Sequence, residues 1–375
     1  MKIAFVISTF PPKIGGMGEV AYQEAKNLAI LGHDVTVFTL WYPGSSLEFD
    51  KNLPFKVVRL FTPIILGDAG VAPQLLFRLF NFDIIHLHYP FYGGGFLVFL
   101  AHFIWRIPYV VTYHMDAKPS GYFKKIIKYF SDSLMAKVIL HQAKKVIIVD
   151  AKNQQQFSLL KKISPNHLVE ISNAIDTNVF HHIDVNPEKL GYKNFNEKKI
   201  LLFVGNLLAV KRLDLILLAL KKINNSNFVL LIVGDGYEKA KYQNLSVELG
   251  LSDQVVFLGK ILDKNLLAQY YSVADLVVIP SDYESFSLVA LESLACATPL
   301  IVSKIDGMLG RVNEGVDGLF FLPGNDVDLS QKIIQFFNYS EEQRRQMGQN
   351  GCEKVTANYN WTQHTQDLLK VYFNK

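Results

Sequence analysis

Short apolar runs alternate along the chain with stretches in which apolar residues recur every three or four positions. In the first half the runs span residues 2–8, 35–40, 56–60, 83–88, 107–113 and 145–150. In the second they span 199–204, 228–233, 254–258, 276–279 and 299–303. Continuous apolarity at this length, rather than strict alternation, is the pattern of parallel strands covered on both faces. The stretches between them read as helices. Val20, Ala21, Ala25, Leu28, Ala29 and Leu31 share one face of a helix that Gly32 stops. Leu288, Val289, Leu291 and Leu294 do the same in a helix starting near Ser287. Residues 96–105 are apolar almost throughout; ten residues read as a buried helix, too short for the ~20 that cross a bilayer. Strand and helix alternate from end to end, so the class is α/β with parallel sheets. Residues 181–197 break the rhythm with Pro187, Gly191 and several asparagines. They read as a linker and place a domain boundary near 190.

Open parallel sheets bind ligands just beyond the carboxyl ends of their strands. Residues 280–292, PSDYESFSLVALE, follow such a strand end. Glu284 falls in the loop and Glu292 eight residues later on the helix. The N–H groups of Ser285, Phe286 and Ser287 are expected to point out of the helix N-terminus, where they suit a phosphate. Carboxylates are poor phosphate ligands but good acceptors for sugar hydroxyls. After the first strand, Gly15, Gly16 and Gly18 form a loop whose amides could approach an anion closely. The dinucleotide G-x-G-x-x-G spacing and a Walker lysine are both missing from it. His114 and Asp116 stand just past the run 107–113. His86 and His88 flank a buried strand and read as satisfied core histidines. Gly205, Asn206 and Lys211 follow the run 199–204.

The frame PSxxESFxLxxLE, with a strand before it and a helix after, resembles the E-x7-E motif of the retaining family-4 glycosyltransferases. The resemblance extends to the glycine loop at 15–18, to Gly205 and Lys211 (a G-x5-K spacing), and to residues 171–176, ISNAID. It implies the GT-B fold: two Rossmann-like domains with parallel sheets facing a central cleft, and a C-terminal helix crossing back to the first. The domains would be 1–190 with 359–375, on the acceptor side, and 191–358, binding the nucleotide sugar. It also implies roles. Gly16, Gly205, Asn206, Lys211, Glu284, Ser285, Phe286, Ser287 and Glu292 would line the donor site. Glu284 would contact the sugar, Glu292 the ribose and Lys211 the diphosphate. Gly15, Gly18, His114 and Asp116 would face the acceptor side. His114, Lys211 and Glu284 would carry the catalysis. The family needs neither metal nor other cofactor. Retention in it is attributed to the departing phosphate oxygen taking the acceptor proton, not to the paired carboxylates of glycosidases.

The sequence departs from the family in four places, one of them Ala297, which replaces a glycine before Thr298-Pro299. Asn206 stands where the family has an arginine that forks onto the diphosphate, and asparagine cannot supply that charge. The neighbouring Arg212 is a candidate to compensate. Gly310 replaces an acid, and Ala174 a glycine.

Charge and composition narrow the partners. The formal net charge is +4, with 38 Lys+Arg against 34 Asp+Glu. Residues 1–185 hold 18 of those bases against 13 acids, a net of +5, and the remainder 20 against 21, a net of −1. That is too mild for nucleic-acid binding through charge alone. Residues 121–145 carry six lysines beside an apolar stripe that includes Ile126, Ile127, Phe130, Val138 and Ile139. Such a basic amphipathic helix suits an anionic membrane surface or a sheet-packing role with a solvated lysine face. Cys296 and Cys352 have neither metal nor redox spacing, which fits a reducing compartment. Strand residues begin at Ile3, leaving no room for a signal peptide. The expectation is a cytoplasmic protein, with the inner membrane face as a surface it could meet. Its partners would be a UDP- or GDP-linked sugar and a glycan or lipid-linked acceptor in cell-surface glycan or glycolipid synthesis. Two alternatives remain: a catalytically degenerate GT-B subunit that binds nucleotide or a partner, and a GT-B epimerase or phosphorylase.

Overall fold

The computed structural model describes all residues except 14, 43–46, 63, 64, 67, 68, 117–134, 152–156, 186–189, 191–197, 374 and 375. Its contacts divide the chain into two compact units, Met1–Ala174 with Trp361–Lys375, and Ile175–Asn360. The division falls ahead of the polar stretch read as a linker, so the chain after Ala174 goes with the second unit.

In the first unit β1 (Lys2–Val6), β2 (Asp34–Leu40) and β3 (Lys56–Leu60) lie on one side of the sheet. A two-residue ribbon, β4 (Ile65–Leu66) with β5 (Ala69–Gly70), stands apart. Then come β6 (Ile84–Tyr89), β7 (Tyr109–Tyr113), β8 (Val146–Ile148) and β9 (Leu168–Glu170). The sheet order is β3-β2-β1-β6-β7-β8-β9, parallel throughout. The order reverses between β1 and β6, where Ile3 pairs with both Val35 and Ile84. Both faces are covered: Ile3, Ala4, Phe5 and Val6 are all fully buried. Burying such a residue contributes about 1.5–3 kcal/mol, so strands of this kind hold the unit together. One face is capped by helices Gly16–Ile30 and Trp361–Phe373, which pack together. In the latter, His364, Leu368, Val371 and Tyr372 are buried, spaced as one helical face.

The second unit repeats the scheme with β10 (Lys199–Val204), β11 (Phe228–Val233), β12 (Val255–Gly259), β13 (Leu276–Ile279), β14 (Leu300–Ser303) and β15 (Gly318–Phe321). The order is β12-β11-β10-β13-β14-β15, again parallel and reversing beside the first strand. Both units therefore have the doubly wound Rossmann-like arrangement.

Three expectations change. The helix Gly94–Trp105 is not buried all round: Leu97, Val98 and Ala101 face in, but Phe103 is 63% and Ile104 54% exposed. It covers the sheet with one face only, and at its end Trp105 meets the exposed Phe80 edge-on, ring centroids 5.8 Å apart. Residues Asp306–Leu309, where the Asp306-Gly307 pair suggests a glycine turn, form a single helical turn instead. Of the basic stretch 121–145, residues 121–134 lie outside the described residues. In the helix Ala136–Gln142 that follows, Ile139 is buried but Val138 is 40% exposed.

Candidate functional site

In the second unit the reversal point brings the ends of β10 and β13 side by side. After β10 the backbone turns at Gly205 (φ +156°), and a Cβ on Gly234 would lie 1.9 Å from the Gly205 carbonyl oxygen. Only glycine lets the ends of β10 and β11 approach that closely. A 3-10 turn, Ala209–Lys211, then lifts Lys211 toward the loop after β13. The two loops are tied by the Asp282 N–H donating to the Val210 carbonyl at 2.9 Å. Lys211 Nζ donates to Glu284 Oε1 at 2.6 Å, and Ser281 Oγ donates to the same oxygen at 2.7 Å. Glu284 Oε2 has no hydrogen bond among the described residues, so one carboxylate oxygen is fixed and the other keeps its lone pairs as an acceptor. The backbone of Glu284 is itself clamped: a Cβ on Gly307 would lie 2.0 Å from its carbonyl oxygen.

The helix that carries Glu292 runs Leu288–Ala295. Ser287 is its N-cap (φ +66°), with Oγ accepting from the Ala290 N–H at 3.4 Å. Ser285 and Phe286 thus belong to the loop leading in, and the N–H groups of Ser287, Leu288 and Val289 stand at the helix start without intrahelical partners. The Phe286 ring is buried, with the Arg311 guanidinium 3.9 Å from its centroid; its side chain anchors the loop. Glu292 Oε2 accepts a 2.7 Å hydrogen bond from the Tyr271 hydroxyl. Burial, with the Glu292 charge behind it, pushes the Tyr271 hydroxyl well above its ordinary range, so it stays a donor and fixes the carboxylate.

Arg212, the candidate to compensate for Asn206, has carboxylate partners of its own. Its guanidinium is gripped by Asp214 (2.9 Å) and Asp282 (3.1 Å), while Asn206 is exposed. With the charge absent from position 206, Asn206→Arg is expected to raise kcat about tenfold, the worth of one charge-assisted hydrogen bond. Steady-state kinetics of an active wild type beside the variant would check this; unchanged kcat would show that Asn206 is no handicap.

In the first unit Gly15 precedes the helix Gly16–Ile30, Gly16 is exposed, and a Cβ on Gly18 would come within 3.0 Å of the Thr9 carbonyl oxygen. Asp116 accepts from the Tyr113 hydroxyl and from the Ser158 N–H (3.2 Å). His114 follows β7 as expected but is turned inward, only 4% exposed. Its Nε2 lies 2.9 Å from His88 Nδ1.

Sequence reasoning missed what lies behind it. Glu24, on the buried face of its helix, is 2% exposed. Its Oε2 is 3.4 Å from His88 Nε2 and 3.7 Å from His86 Nδ1, and its Oε1 is 2.9 Å from His364 Nε2. His364 Nδ1 faces the Ser172 carbonyl at 2.8 Å, and His86 Nδ1 pairs with the Tyr372 hydroxyl at 2.7 Å. Glu24, His86 and His88 are also the one group among the described residues with spacing a metal ion could span. The signal was present in the sequence: an acid three or four positions from Val20, Ala21 and Leu28 sits on an apolar helix face, where unpaired acids are almost never found. Tyr271 and Ser281 carried no comparable signal.

The model for glycosyl transferases group 1 matches residues 186–354, and that for glycosyltransferase family 4 matches residues 14–179. An uncharacterized glycosyltransferase of Methanocaldococcus jannaschii is 27% identical, over 99% of this chain and 98% of its own. N-acetyl-alpha-D-glucosaminyl L-malate synthase of Bacillus anthracis is 27% identical, over 100% and 97%. Among solved structures, sucrose-phosphate synthase from Thermosynechococcus elongatus superposes with a TM-score of 0.82 at 23% identity, over 99% of this chain and 98% of that one. Anabaena HepE in complex with UDP does so with a TM-score of 0.79 at 20% identity, over 99% of each chain. With the two family models matching its two halves in turn, this chain belongs to the group 1, family 4 glycosyltransferases.

Proposed function

We propose that the protein is a retaining hexosyltransferase that moves a sugar from a UDP- or GDP-linked donor to an acceptor hydroxyl, in cell-surface glycan or glycolipid synthesis. The observation that carries this reading is the Lys211–Glu284–Ser281 cluster at the reversal point of the second sheet, with Glu292 fixed behind it by Tyr271. Lys211 is one cation beside one helix N-terminus, the combination that neutralises a leaving diphosphate. Glu284 holds out one carboxylate oxygen for sugar hydroxyls, and Glu292 offers acceptors for a ribose. In the transfer, the bond from the anomeric carbon to the phosphate oxygen breaks. The acceptor oxygen bonds to the same face, and its proton goes to the departing phosphate. The protein contributes positioning and charge stabilisation. By the resemblance to the family, His114 at the end of β7 is assigned to positioning the transferred sugar. The complexes of Anabaena HepE with UDP and UDP-glucose favour a UDP donor.

Calorimetric titration of UDP, GDP, ADP and their common sugar conjugates into wild type and Glu292→Ala tests this. The expected result is tight binding of one nucleotide, weakened about tenfold or more in the variant by loss of a hydrogen bond to a charged acceptor. Binding of none would overturn the reading and favour the degenerate-subunit alternative, which the exposed Asn206 and the engaged Arg212 keep in play. Free sugar or sugar phosphate formed without an acceptor would favour the epimerase or phosphorylase.

The lipid side of the proposal rests on Phe77, Phe80, Phe103 and Ile104, each more than half exposed. Aromatic and aliphatic side chains standing out together suit an interfacial surface. Sedimentation with anionic liposomes at low salt is expected to retain the wild type and to lose Phe77→Ser/Phe103→Ser. Equal retention of the two would remove the membrane from the proposal.

A further inference from the structure

The buried contacts in the first unit form one line of polar atoms. It starts at the Ser172 carbonyl and runs through His364, Glu24 and His88 to His114. The protons along it are not free to choose their places. A carbonyl oxygen only accepts, so His364 Nδ1 must carry a proton. One further proton lies between His364 Nε2 and Glu24 Oε1, 2.9 Å apart. Whichever of the two atoms holds it, Glu24 Oε2 keeps only lone pairs. His88 Nε2 lies 3.4 Å from that oxygen, an electrostatic contact rather than an aligned hydrogen bond, and neither atom has a hydrogen-bond partner. A bare nitrogen lone pair facing a carboxylate oxygen in a dry interior would be repulsive, so His88 Nε2 carries the proton. A neutral imidazole holds one proton, which leaves His88 Nδ1 as an acceptor and makes His114 Nε2 the donor across 2.9 Å. His114 then keeps a bare lone pair on Nδ1.

We propose that the Ser172 carbonyl, acting through His364, Glu24 and His88, fixes His114 in the Nε2–H tautomer and so makes its Nδ1 a hydrogen-bond acceptor for a hydroxyl at the carboxyl end of β7. Glu24, His88 and His364 are positioning residues. Taking that hydroxyl to belong to the transferred sugar rests on the proposed function; the tautomer itself does not. Burial also holds His88 and His114 below the ordinary histidine range, which keeps both neutral near pH 7. Nδ1 of His114 has no hydrogen-bond partner among the described residues.

Imidazole 15N NMR of selectively labelled protein at neutral pH reads the proton positions directly, with His114 assigned by its disappearance in His114→Gln. The expected spectrum has a pyrrole-like Nε2 and a pyridine-like Nδ1 at His114, and the same pair at His88. Glu24→Gln keeps that pattern, because the amide can donate to His364 Nε2 and accept from His88 Nε2. Glu24→Leu removes the acceptor, so His88 and His114 shift toward a mixture of tautomers and kcat/KM for the donor falls about tenfold. A proton on Nδ1 of His114 in the wild type, or an unchanged pattern in Glu24→Leu, would overturn the proposal. So would a stoichiometric metal in the purified protein: a metal on His88 Nε2 forces the proton to Nδ1 and reverses the line. If Glu24→Leu does not fold, the wild type and Glu24→Gln still decide. A shifted tautomer with unchanged kcat/KM would overturn the sugar contact assigned to His114 and leave the relay standing.

Discussion

Lys211→Ala is expected to lower kcat by about 10²–10³, the usual cost of removing one preorganised group from developing negative charge. The charge on a leaving diphosphate rises as the sugar–phosphate bond breaks, so a cation beside it is worth more in the transition state than in the ground state. Position 206 is asparagine and Arg212 is held by Asp214 and Asp282, so under the proposed function Lys211 would carry this task without the usual second cation. Stability should hardly change. The Lys211–Glu284 pair is at 2.6 Å but one-quarter exposed on the lysine side, and pairs of that kind contribute about 0–1 kcal/mol. In a unit of this size that is a shift of roughly 2–4 °C in Tm at most. Kinetics and thermal unfolding on the same preparation separate the cases. Full activity with a large fall in Tm would mean that the pair is structural and that the diphosphate is held elsewhere.

Acid is expected to unfold the first unit well before the second. Burial, with repulsion from neighbouring imidazoles, holds His86 and His88 well below the ordinary range and His114 down to about 3. In the unfolded chain each takes up a proton near pH 6.5. Between those values the unfolded state binds more protons, so stability is full above about pH 6.5 and falls as the pH drops. The groups facing the cluster from its two covering helices act the other way. Burial raises Glu24, and against its own burial the hydrogen bond and charge of Glu24 raise His364. The stability they add is present below their unfolded pKa values and fades as the pH rises. Tyr372, raised by burial, does not titrate in this range. Near pH 5 the balance is about two to three protons, or roughly 3–4 kcal/mol per pH unit. Against a typical stability of 5–15 kcal/mol, that unfolds the unit by about pH 4–5. The second unit has no such load: its two histidines, His181 and His182, are both exposed. Trp41, Trp105 and Trp361 all lie in the first unit, so tryptophan fluorescence follows that unit alone. A fluorescence transition below pH 4, or one coincident with loss of far-UV signal from the whole chain, would mean that the histidines are not buried neutral.

Much of this was legible in one dimension. Runs such as KIAFV and LVVI are covered on both faces of a parallel sheet, a requirement that leaves no polar positions and so marks the sequence directly. The strand ends then locate the loops, and the loops hold Glu284, Lys211 and His114. Local chemistry is legible too: an Asp just ahead of a helical stretch marks a cap, and Asp263 caps its helix by accepting from the Asn265 and Leu266 N–H groups. The outcome was different wherever a side chain's partner lies far along the chain. Nothing near Lys211 in sequence says that its ammonium meets Glu284, 73 positions on, or that Arg212 is taken up by Asp282. The exposed side of the helix Gly94–Trp105 was misread because apolarity alone does not say how many faces a helix buries. His86 and His88 look alike in sequence, yet one pairs with a tyrosine near the C-terminus and the other links Glu24 to His114.

The sequence by itself determined the α/β class, the parallel sheets and the loops that carry the chemistry, because these follow from periodicity and from the backbone's need to turn at strand ends. Only the tertiary structure decided which charges pair and which nitrogen of His114 is bare. Those depend on distances of about 3 Å between residues up to 340 positions apart, and it is folding that brings them together.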